Sequence, residues 1–115
     1  MDENCIFCKI ISGEIPSELI YKDDVCVAFN DISPQAPTHI LVIPREHFAS
    51  LNEAKDGHKE ILGHLMLKTA AIAEEKGIAD QGYRVVINTN ENGGQTVFHL
   101  HIHLLGGRQF IFPPG

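Results

Sequence analysis

The stretch FHLHIHLL, residues 98–105, alternates histidine with leucine or isoleucine. Successive side chains of a β-strand point to opposite faces, so a strand here would place His99, His101 and His103 on one face. The aliphatic side chains would share the other face, which we expect to pack on the core. Histidines two positions apart would lie about 7 Å from each other, so one phosphate-sized group could contact two of them.

The chemistry of this segment depends on its imidazoles and on the turn that precedes it. Histidine, with an ordinary pKa of about 6.5, can act as nucleophile, base or acid near neutral pH. Residues 93–96, Gly-Gly-Gln-Thr, form a turn whose backbone N–H groups could face an anion. Nucleophilic histidines beside such a turn favour chemistry at the phosphorus atom of a bound phosphate group. A histidine-rich exposed strand and a zinc site formed by histidines at i and i+2 are the alternatives that the spacing leaves open.

The remaining sequence predicts a small α+β domain. A short helix capped by Asn4, a proline-containing loop and a long helix with apolar residues three and four apart are expected at residues 5–12, 31–37 and 56–76. Strand-like runs occupy residues 18–22, 25–29, 39–43, 83–88 and 98–105. Five strands with one long helix cannot form alternating strand–helix–strand units throughout, so we predict a mainly antiparallel five-stranded sheet.

Composition limits the partners and the compartment. The chain has 115 residues, which predicts a single domain over residues 1–115, and a formal charge of −6, which disfavours nucleic acid as a partner. The acidic start and the lack of a long apolar run predict a cytoplasmic protein without a membrane segment. Three cysteines fit a reducing compartment. Cys5 and Cys8, one helical turn apart, are candidate metal ligands, although spacing alone names no further ligand.

Residues 99–105 resemble the signature of the histidine-triad (HIT) family, in which three histidines alternate with apolar residues. The similarity extends through residues 6–11, 28–39 and 93–98, and the segments 105–109 and 113–115 resemble the Hint branch rather than the Fhit branch. The resemblance implies a HIT-like fold, homodimers whose sheets join, and a C-terminal arm, residues 105–115, that reaches the partner. It also implies hydrolysis of the P–N bond of purine nucleoside phosphoramidates, such as AMP joined to an amine. Hydrolysis of dinucleoside polyphosphates, or regulatory nucleotide binding without turnover, remains an alternative.

The resemblance assigns roles residue by residue. His101 would attack the α-phosphorus and form a nucleotidyl-histidine that water hydrolyses, while His103 holds the phosphate and His39 lies beside phosphate and leaving group. Asp31 would bind the ribose hydroxyls, although an aspartate at this position also suits an ordinary turn. The phosphate-side positions are Asn88, Gly94, Gln95 and Thr96. The base-pocket positions, which would otherwise be interpreted as core, are Ile6, Phe7, Ile10, Phe29, Asn30 and Ile32.

Two positions depart from the pattern of the branch. Thr96 stands where serine is usual, and it keeps the hydroxyl. Phe112 stands in the arm where many members carry tryptophan, and it keeps an aromatic surface without the indole donor. The preference for the leaving group therefore stays open.

The resemblance also bears on the cysteine pair. Some bacterial HIT proteins bind zinc through such a pair, the histidine after the Ile-Pro strand and the first triad histidine, which are here Cys5, Cys8, His47 and His99. The predicted cofactor is a structural zinc that catalysis does not need, with two packed thiols as the alternative. His99, the first member of the catalytic triad, would then serve the metal. The remaining candidates are interpreted as surface, boundary or packed residues: His58, His64 and Cys26.

Overall fold

The computed structural model describes residues 3–115, so the first two residues of the predicted domain lie outside the described part. Within that part the chain forms a short helix, a long helix and five strands. In chain order the elements are α1 (Ile6–Ser12), β1 (Leu19–Lys22), β2 (Cys26–Asn30), β3 (Thr38–Pro44), α2 (Lys59–Glu75), β4 (Tyr83–Val86) and β5 (Ile102–Gly106). Two short 3₁₀ turns, Leu51–Glu53 and Asp56–His58, lie between β3 and α2.

The strands form one antiparallel sheet in the order β1-β2-β3-β5-β4. β1 and β2 make the expected hairpin, and β3 pairs with β2 on one side and with β5 on the other. β3 is central and buried along most of its length, as its nearly continuous apolar sequence predicted. The α+β class and the antiparallel five-stranded sheet are therefore confirmed.

The two faces of the sheet carry different helices. Leu65, Ile72 and Ala73 of α2 pack with aliphatic residues of the sheet, including Ile102 and Leu104. On the other face, the α1 face, the packed residues include cysteines and aromatics: Cys5, Phe7, Cys8, Val27, Phe29, Leu41 and Ile43. Burial of each large aliphatic side chain contributes about 1.5–3 kcal/mol, so both faces stabilise the domain.

The strand that was predicted over residues 98–105 begins later, at Ile102. Its ladder with β3 starts at the pair Val42 and Ile102, and before that point the N–H of Leu100 donates to the carbonyl of Phe48 at 2.8 Å. The predicted start was therefore wrong. The alternation of faces nevertheless continues through the unpaired segment, because Leu100 lies in the aliphatic core with Leu104.

Other element boundaries differ for local reasons. Cys5, not Asn4, caps α1, because its Sγ accepts the N–H of Cys8 at 3.4 Å, whereas the predicted stop at Gly13 is confirmed by its φ of 84°. α2 begins at Lys59, after the 3₁₀ turn, rather than at residue 56. β4 ends at Val86 instead of residue 88, since its last partner on β5 is His103. Across residues 3–115 no helix is long and apolar enough to cross a membrane.

Candidate active site and metal centre

His101 lies against Phe7 of α1, just before β5. The residue is 7% exposed, and its Nδ1 lies 2.8 Å from the carbonyl oxygen of His99. Because a carbonyl only accepts, Nδ1 must carry a proton and donate it, which leaves the Nε2 lone pair available. The ring of Phe7 meets the imidazole edge-to-face at 5.2 Å and limits its rotation. This geometry presents Nε2 as a nucleophile.

His103 and His39 form a hydrogen-bonded pair beside His101. The N–H of Gln35 donates to Nδ1 of His39 at 3.0 Å, so the proton of His39 is on Nε2. That Nε2 lies 2.9 Å from Nδ1 of His103 and donates to it. His103 therefore carries its own proton on Nε2, where it can donate to a ligand. The ring centroids of His101 and His103 are 4.9 Å apart.

The protonation of His103 follows from its surroundings. Burial, together with the repulsion that a charged His103 would meet from a protonated His101 or His39, lowers the pKa of His103 to about 4. The ring is therefore neutral near pH 7. A neutral imidazole that donates from Nε2 suits a phosphoryl oxygen without adding a buried positive charge.

Asp31 joins this histidine pair to the loop after β2. One carboxylate oxygen, Oδ1, accepts the N–H of Ser33 at 2.7 Å, and the other, Oδ2, lies 3.4 Å from Nε2 of His39. The turn interpretation of Asp31 is thus confirmed. The same side chain also faces the histidine pair, so the turn places a carboxylate at the edge of the site.

The glycine turn before His99 is tightly closed. A Cβ on Gly93 would collide with the backbone of Thr89, and Gly94 has a φ of 82°, which a residue with a side chain rarely adopts. Thr96, which follows, is exposed. Together with Ile6 and Phe98 it lines a cleft of about 270 Å³ that also reaches His47.

Gln95 anchors the turn to the body of the domain. It is 6% exposed, and its amide donates to the carbonyls of Ala49 at 2.7 Å and Val97 at 3.1 Å. Its Oε1 accepts the N–H of Asn90 at 2.9 Å. The family resemblance predicts that Gln95 lies on the phosphate side of the site. In this structure its side chain instead makes hydrogen bonds to the backbone of the protein. Asn88 is half-buried just beyond β4.

The predicted base-pocket residues divide into buried and exposed members. Phe7 and Phe29 are buried and meet edge-to-face at 5.6 Å, with Ile10 packed beside them. Ile32 is 98% exposed, and Ile6 is 48% exposed. Asn30 is exposed at the end of β2. An apolar wall is therefore present, and exposed aliphatic side chains flank it.

Two arginines clamp the C-terminal arm. Arg84 donates to the carbonyl of Ile111 at 2.7 Å. The guanidinium carbons of Arg84 and Arg108 lie 5.0 and 4.1 Å from the ring centroid of Phe110. Beyond this clamp, Phe112 is 88% exposed. The arm thus leaves an aromatic side chain almost fully exposed.

The structure brings Cys5, Cys8, His47 and His99 together, with one ligand atom of each within 4.8 Å of the others. Nδ1 of His99 lies 3.3 Å from Sγ of Cys5 and 3.6 Å from Sγ of Cys8, and Nδ1 of His47 lies 3.5 Å from Sγ of Cys8. The two Nδ1 atoms are 3.0 Å apart. Ligands of a tetrahedral zinc lie about 3.3–3.8 Å from one another, given its bond lengths of about 2.0 and 2.3 Å. The three sulfur–nitrogen distances lie in this range and the Nδ1–Nδ1 distance is shorter than it, so with two thiols and two imidazoles the cluster fits zinc after a small separation of the two rings.

The orientation of His99 supports the same conclusion. Its Nε2 lies 2.8 Å from the carbonyl of Pro44, so Nε2 carries the proton and the Nδ1 lone pair faces the thiols. Burial lowers the pKa of His99 to about 4, which keeps the ring in the neutral form that binds metals. Burial also raises the pKa of Cys5. A cation that accepts thiolate electrons would offset this cost, as zinc does.

Sequence reasoning missed one half-buried carboxylate network, at the β1–β2 hairpin. Oδ2 of Asp23 lies 2.7 Å from the hydroxyl of Tyr21 and 2.6 Å from Nε2 of His64, and Oδ1 accepts two backbone N–H groups. Burial raises the pKa of Asp23, but these donors outweigh it and hold the pKa well below its usual range. The hairpin aspartate was a visible signal. Its partner on α2, 41 residues away, was not.

The family model for the HIT domain matches residues 12–110. The chain belongs to the HIT family. A crystal structure of a HIT family hydrolase from Legionella pneumophila Philadelphia 1 superposes with a TM-score of 0.95 and 48% identity, covering 97% of this chain and 100% of that one.

Two curated relatives are also similar to this HIT protein. A purine nucleoside phosphoramidase of Escherichia coli K12 is 54% identical over 108 residues, which is 94% of this chain and 91% of the relative. A 14 kDa zinc-binding protein of Zea mays is 51% identical over 116 residues, which is 99% of this chain and 90% of the relative.

Proposed function

We propose that this HIT protein hydrolyses the P–N bond of purine nucleoside 5′-phosphoramidates through a nucleotidyl-His101 intermediate. The single observation that carries the proposal is the hydrogen bond from Nδ1 of His101 to the backbone carbonyl of His99. Because the proton is on Nδ1, Nε2 is unprotonated and can act as the nucleophile. The similarity to the purine nucleoside phosphoramidase of Escherichia coli supports the choice of substrate.

In the first half-reaction, Nε2 of His101 attacks the α-phosphorus, and the electron pair of the P–N bond leaves with the amine, which takes up a proton. A neutral imidazole attacks without the charge repulsion that hydroxide would meet. His103 donates from Nε2 to a phosphoryl oxygen, and this contact strengthens as negative charge develops. His39 holds His103 in the required tautomer through their 2.9 Å hydrogen bond.

In the second half-reaction, water attacks the same phosphorus, the P–N bond to His101 breaks, and the water releases one proton, which balances the proton that the amine took up. The imidazole that carries a proton on Nδ1 and phosphorus on Nε2 is cationic, so it leaves as a neutral ring. The products are the nucleoside monophosphate and the original tautomer of His101. The two small steps replace one difficult displacement.

The remaining site residues would bind the nucleotide. Asp31 would accept hydrogen bonds from the ribose hydroxyls, and Phe7, Ile10 and Phe29 would form the wall of the base pocket. Exposed side chains that would be covered by the base are Ile6, Asn30 and Ile32. The glycine turn with Gly94 and Thr96, together with Asn88, would face the phosphate, and Gln95 would fix the turn.

We further propose a structural zinc held by Cys5, Cys8, His47 and His99, supported by the ligand distances and by the zinc-binding relative of Zea mays. When bound, the ion would cross-link α1, the loop after β3 and the segment before β5. Four protein ligands leave no position for a reacting water, so we assign it no catalytic step.

The assembly and the location are also proposals. The chain would act in the cytoplasm as one domain that forms a homodimer, and the arm, residues 105–115, would bring Phe112 to the partner's active site. The exposed position of Phe112 beyond the arginine clamp supports this arrangement.

Brief incubation with an adenosine 5′-phosphoramidate, acid quench and mass analysis tests the function. We expect adenylate on the peptide that contains His101, its decay with time, and AMP and free amine as products. His101→Asn is the control and should carry no adduct. A wild type that hydrolyses diadenosine polyphosphates but leaves the phosphoramidate intact would replace our proposal with the alternative substrate class.

Metal analysis of protein purified without added metal tests the zinc site. We expect about one zinc per chain in the wild type, and loss of zinc in the Cys5→Ala, Cys8→Ala double variant. Cys26→Ala is the matched control, because Cys26 is buried in β2 outside the cluster. Fully reduced wild-type protein without zinc would contradict the assignment.

A further inference from the structure

The segment that holds the nucleophile lies outside the β-ladder. β5 begins at Ile102, so neither His99 nor His101 is held by strand pairing. Two hydrogen bonds hold the segment. The N–H of Leu100 donates to the carbonyl of Phe48, and Nε2 of His99 donates to the carbonyl of Pro44. The position of the His99 backbone therefore depends strongly on where its ring is anchored.

His99 contacts both sites of the molecule. Its ring nitrogen Nδ1 lies among Cys5, Cys8 and His47, while its carbonyl oxygen accepts the Nδ1 proton of His101 at 2.8 Å. A second link runs through α1, since Phe7 lies between the two cysteines in sequence. The ring of Phe7 meets His99 at 5.9 Å and His101 at 5.2 Å.

We infer that His99 is a positioning residue that couples the Cys5–Cys8–His47–His99 centre to the nucleophile. With the ring of His99 ligated, its carbonyl stays aimed at His101 and fixes the tautomer whose Nε2 is bare. With the centre open, α1 and the segment before β5 lose their common anchor. His101 then samples the other tautomer, in which Nε2 carries the proton and cannot attack phosphorus. This inference rests on the proposed function.

The first test follows the His101 tautomer directly, without substrate. Side-chain ¹⁵N spectra of the full-length, ¹⁵N-histidine-labelled protein would be recorded zinc-loaded, after chelation and after zinc is added back. We expect one tautomer, protonated at Nδ1, in the loaded protein and a mixture after chelation. Added zinc should restore the single tautomer. The signal of His101 is assigned by its absence in His101→Asn.

The second test compares the steady-state kinetics of phosphoramidate hydrolysis in the same samples. We expect kcat to fall about 10- to 100-fold on chelation, the range for loss of an orienting contact, while KM changes less than about threefold. Cys26→Ala, a cysteine variant outside the centre, should match the wild type in tautomer, zinc content and kcat. Circular dichroism verifies that the chelated protein is folded.

His47→Gln provides a second route if chelation unfolds the wild type. His47 belongs to the centre but not to α1 or to the segment of His101, so its replacement removes one ligand without changing either of those segments. We expect a partial mixture of tautomers and a smaller fall in kcat. If both proteins unfold, the inference is overturned, because the centre would then hold the whole domain and not His101 in particular.

The outcomes separate the coupling from the function. A folded, zinc-free protein that keeps a single His101 tautomer and its full kcat would overturn the coupling and leave the proposed function intact. A zinc-loaded wild type that never forms the nucleotidyl adduct would overturn the proposed function. The tautomer spectra would still decide whether His99 couples the two sites.

Discussion

The two faces of residues 99–104 differ in what they contribute to the protein. Leu100, Ile102 and Leu104 are buried in the hydrophobic core that they share with α2. On the opposite face, Nδ1 of His99 faces the thiols, His101 donates to the backbone carbonyl of His99, and His103 accepts from His39. The aliphatic face gains its stability from burial that any close-packed core provides. The imidazole face depends on defined tautomers, so its substitution should change chemistry more than stability.

The sharpest test of this difference is His101→Ala. We expect phosphoramidate turnover to fall at least about 10⁴-fold, because no other group replaces the nucleophile. The free energy of unfolding should fall by no more than about 2 kcal/mol, the usual cost of a lost buried hydrogen bond. Steady-state kinetics and urea denaturation measure the two effects. A variant that retains a tenth of the activity would contradict the role of His101.

Leu104→Ala tests the aliphatic face. Leu104 is fully buried, so its truncation should lower the free energy of unfolding by about 2–5 kcal/mol through lost burial and a residual cavity. Activity per folded molecule should change less than about threefold. Leu67→Ala, at an exposed position of α2, is the control and should change stability by less than about 0.5 kcal/mol. If Leu104→Ala and Leu67→Ala lowered the free energy of unfolding equally, burial on the aliphatic face would not be the cause of the loss.

Asp31→Asn tests how the carboxylate distinguishes sugars. Hydrogen bonds to a charged group contribute about 1.5–3 kcal/mol, so KM for a ribonucleoside substrate should rise about 10- to 100-fold. A 2′,3′-dideoxy substrate should bind wild type and variant alike. Asp24→Asn, an exposed turn residue, controls for the lost charge. An equal loss on both substrates would point to disturbed His39 rather than to ribose binding.

The smallest difference between the two faces should appear in how the free energy of unfolding depends on pH. Because the pKa of His103 is about 4 in the folded protein and about 6.5 when unfolded, the unfolded state binds the proton first. This contribution to stability is complete above pH 6.5 and is lost as the pH falls toward 4, by up to about 1.4 kcal/mol per unit. His103→Gln should flatten the profile between pH 6.5 and 5, measured by denaturation of zinc-loaded protein.

Ile102→Val is the control for this profile. It should lower stability by about 0.5–1.5 kcal/mol at every pH, without a change in slope. A slope that is the same in wild type and His103→Gln would show that other groups cause the acid sensitivity.

The fold was largely predictable because hydrophobic patterns determine faces. The alternation of residues 99–104 predicted which side chains meet α2, and the lack of helices between most strands predicted an antiparallel sheet. The start of β5 was not predictable, because a ladder needs a partner strand. The last residue of β3 that pairs with β5 is Val42, opposite Ile102. No feature of residues 98–101 themselves contains that information.

The site was predicted less completely, because some contacts depend on distant segments. His101, His103 and His39 were named from the family resemblance, and the structure places them together. The amide of Gln95, in contrast, bonds to the carbonyl of Ala49, 46 residues away, and Asp23 bonds to His64 on α2. Such pairs come together only when the fold forms, so local spacing does not reveal them.

The strict alternation of imidazole and aliphatic side chains also limits how this protein can change in length. Deletion or insertion of one residue between His99 and His103 would turn the side chains beyond it by half a period. Imidazoles would enter the contact with α2, and leucines would replace them beside the cysteines. Any viable change in length here must therefore come in steps of two residues.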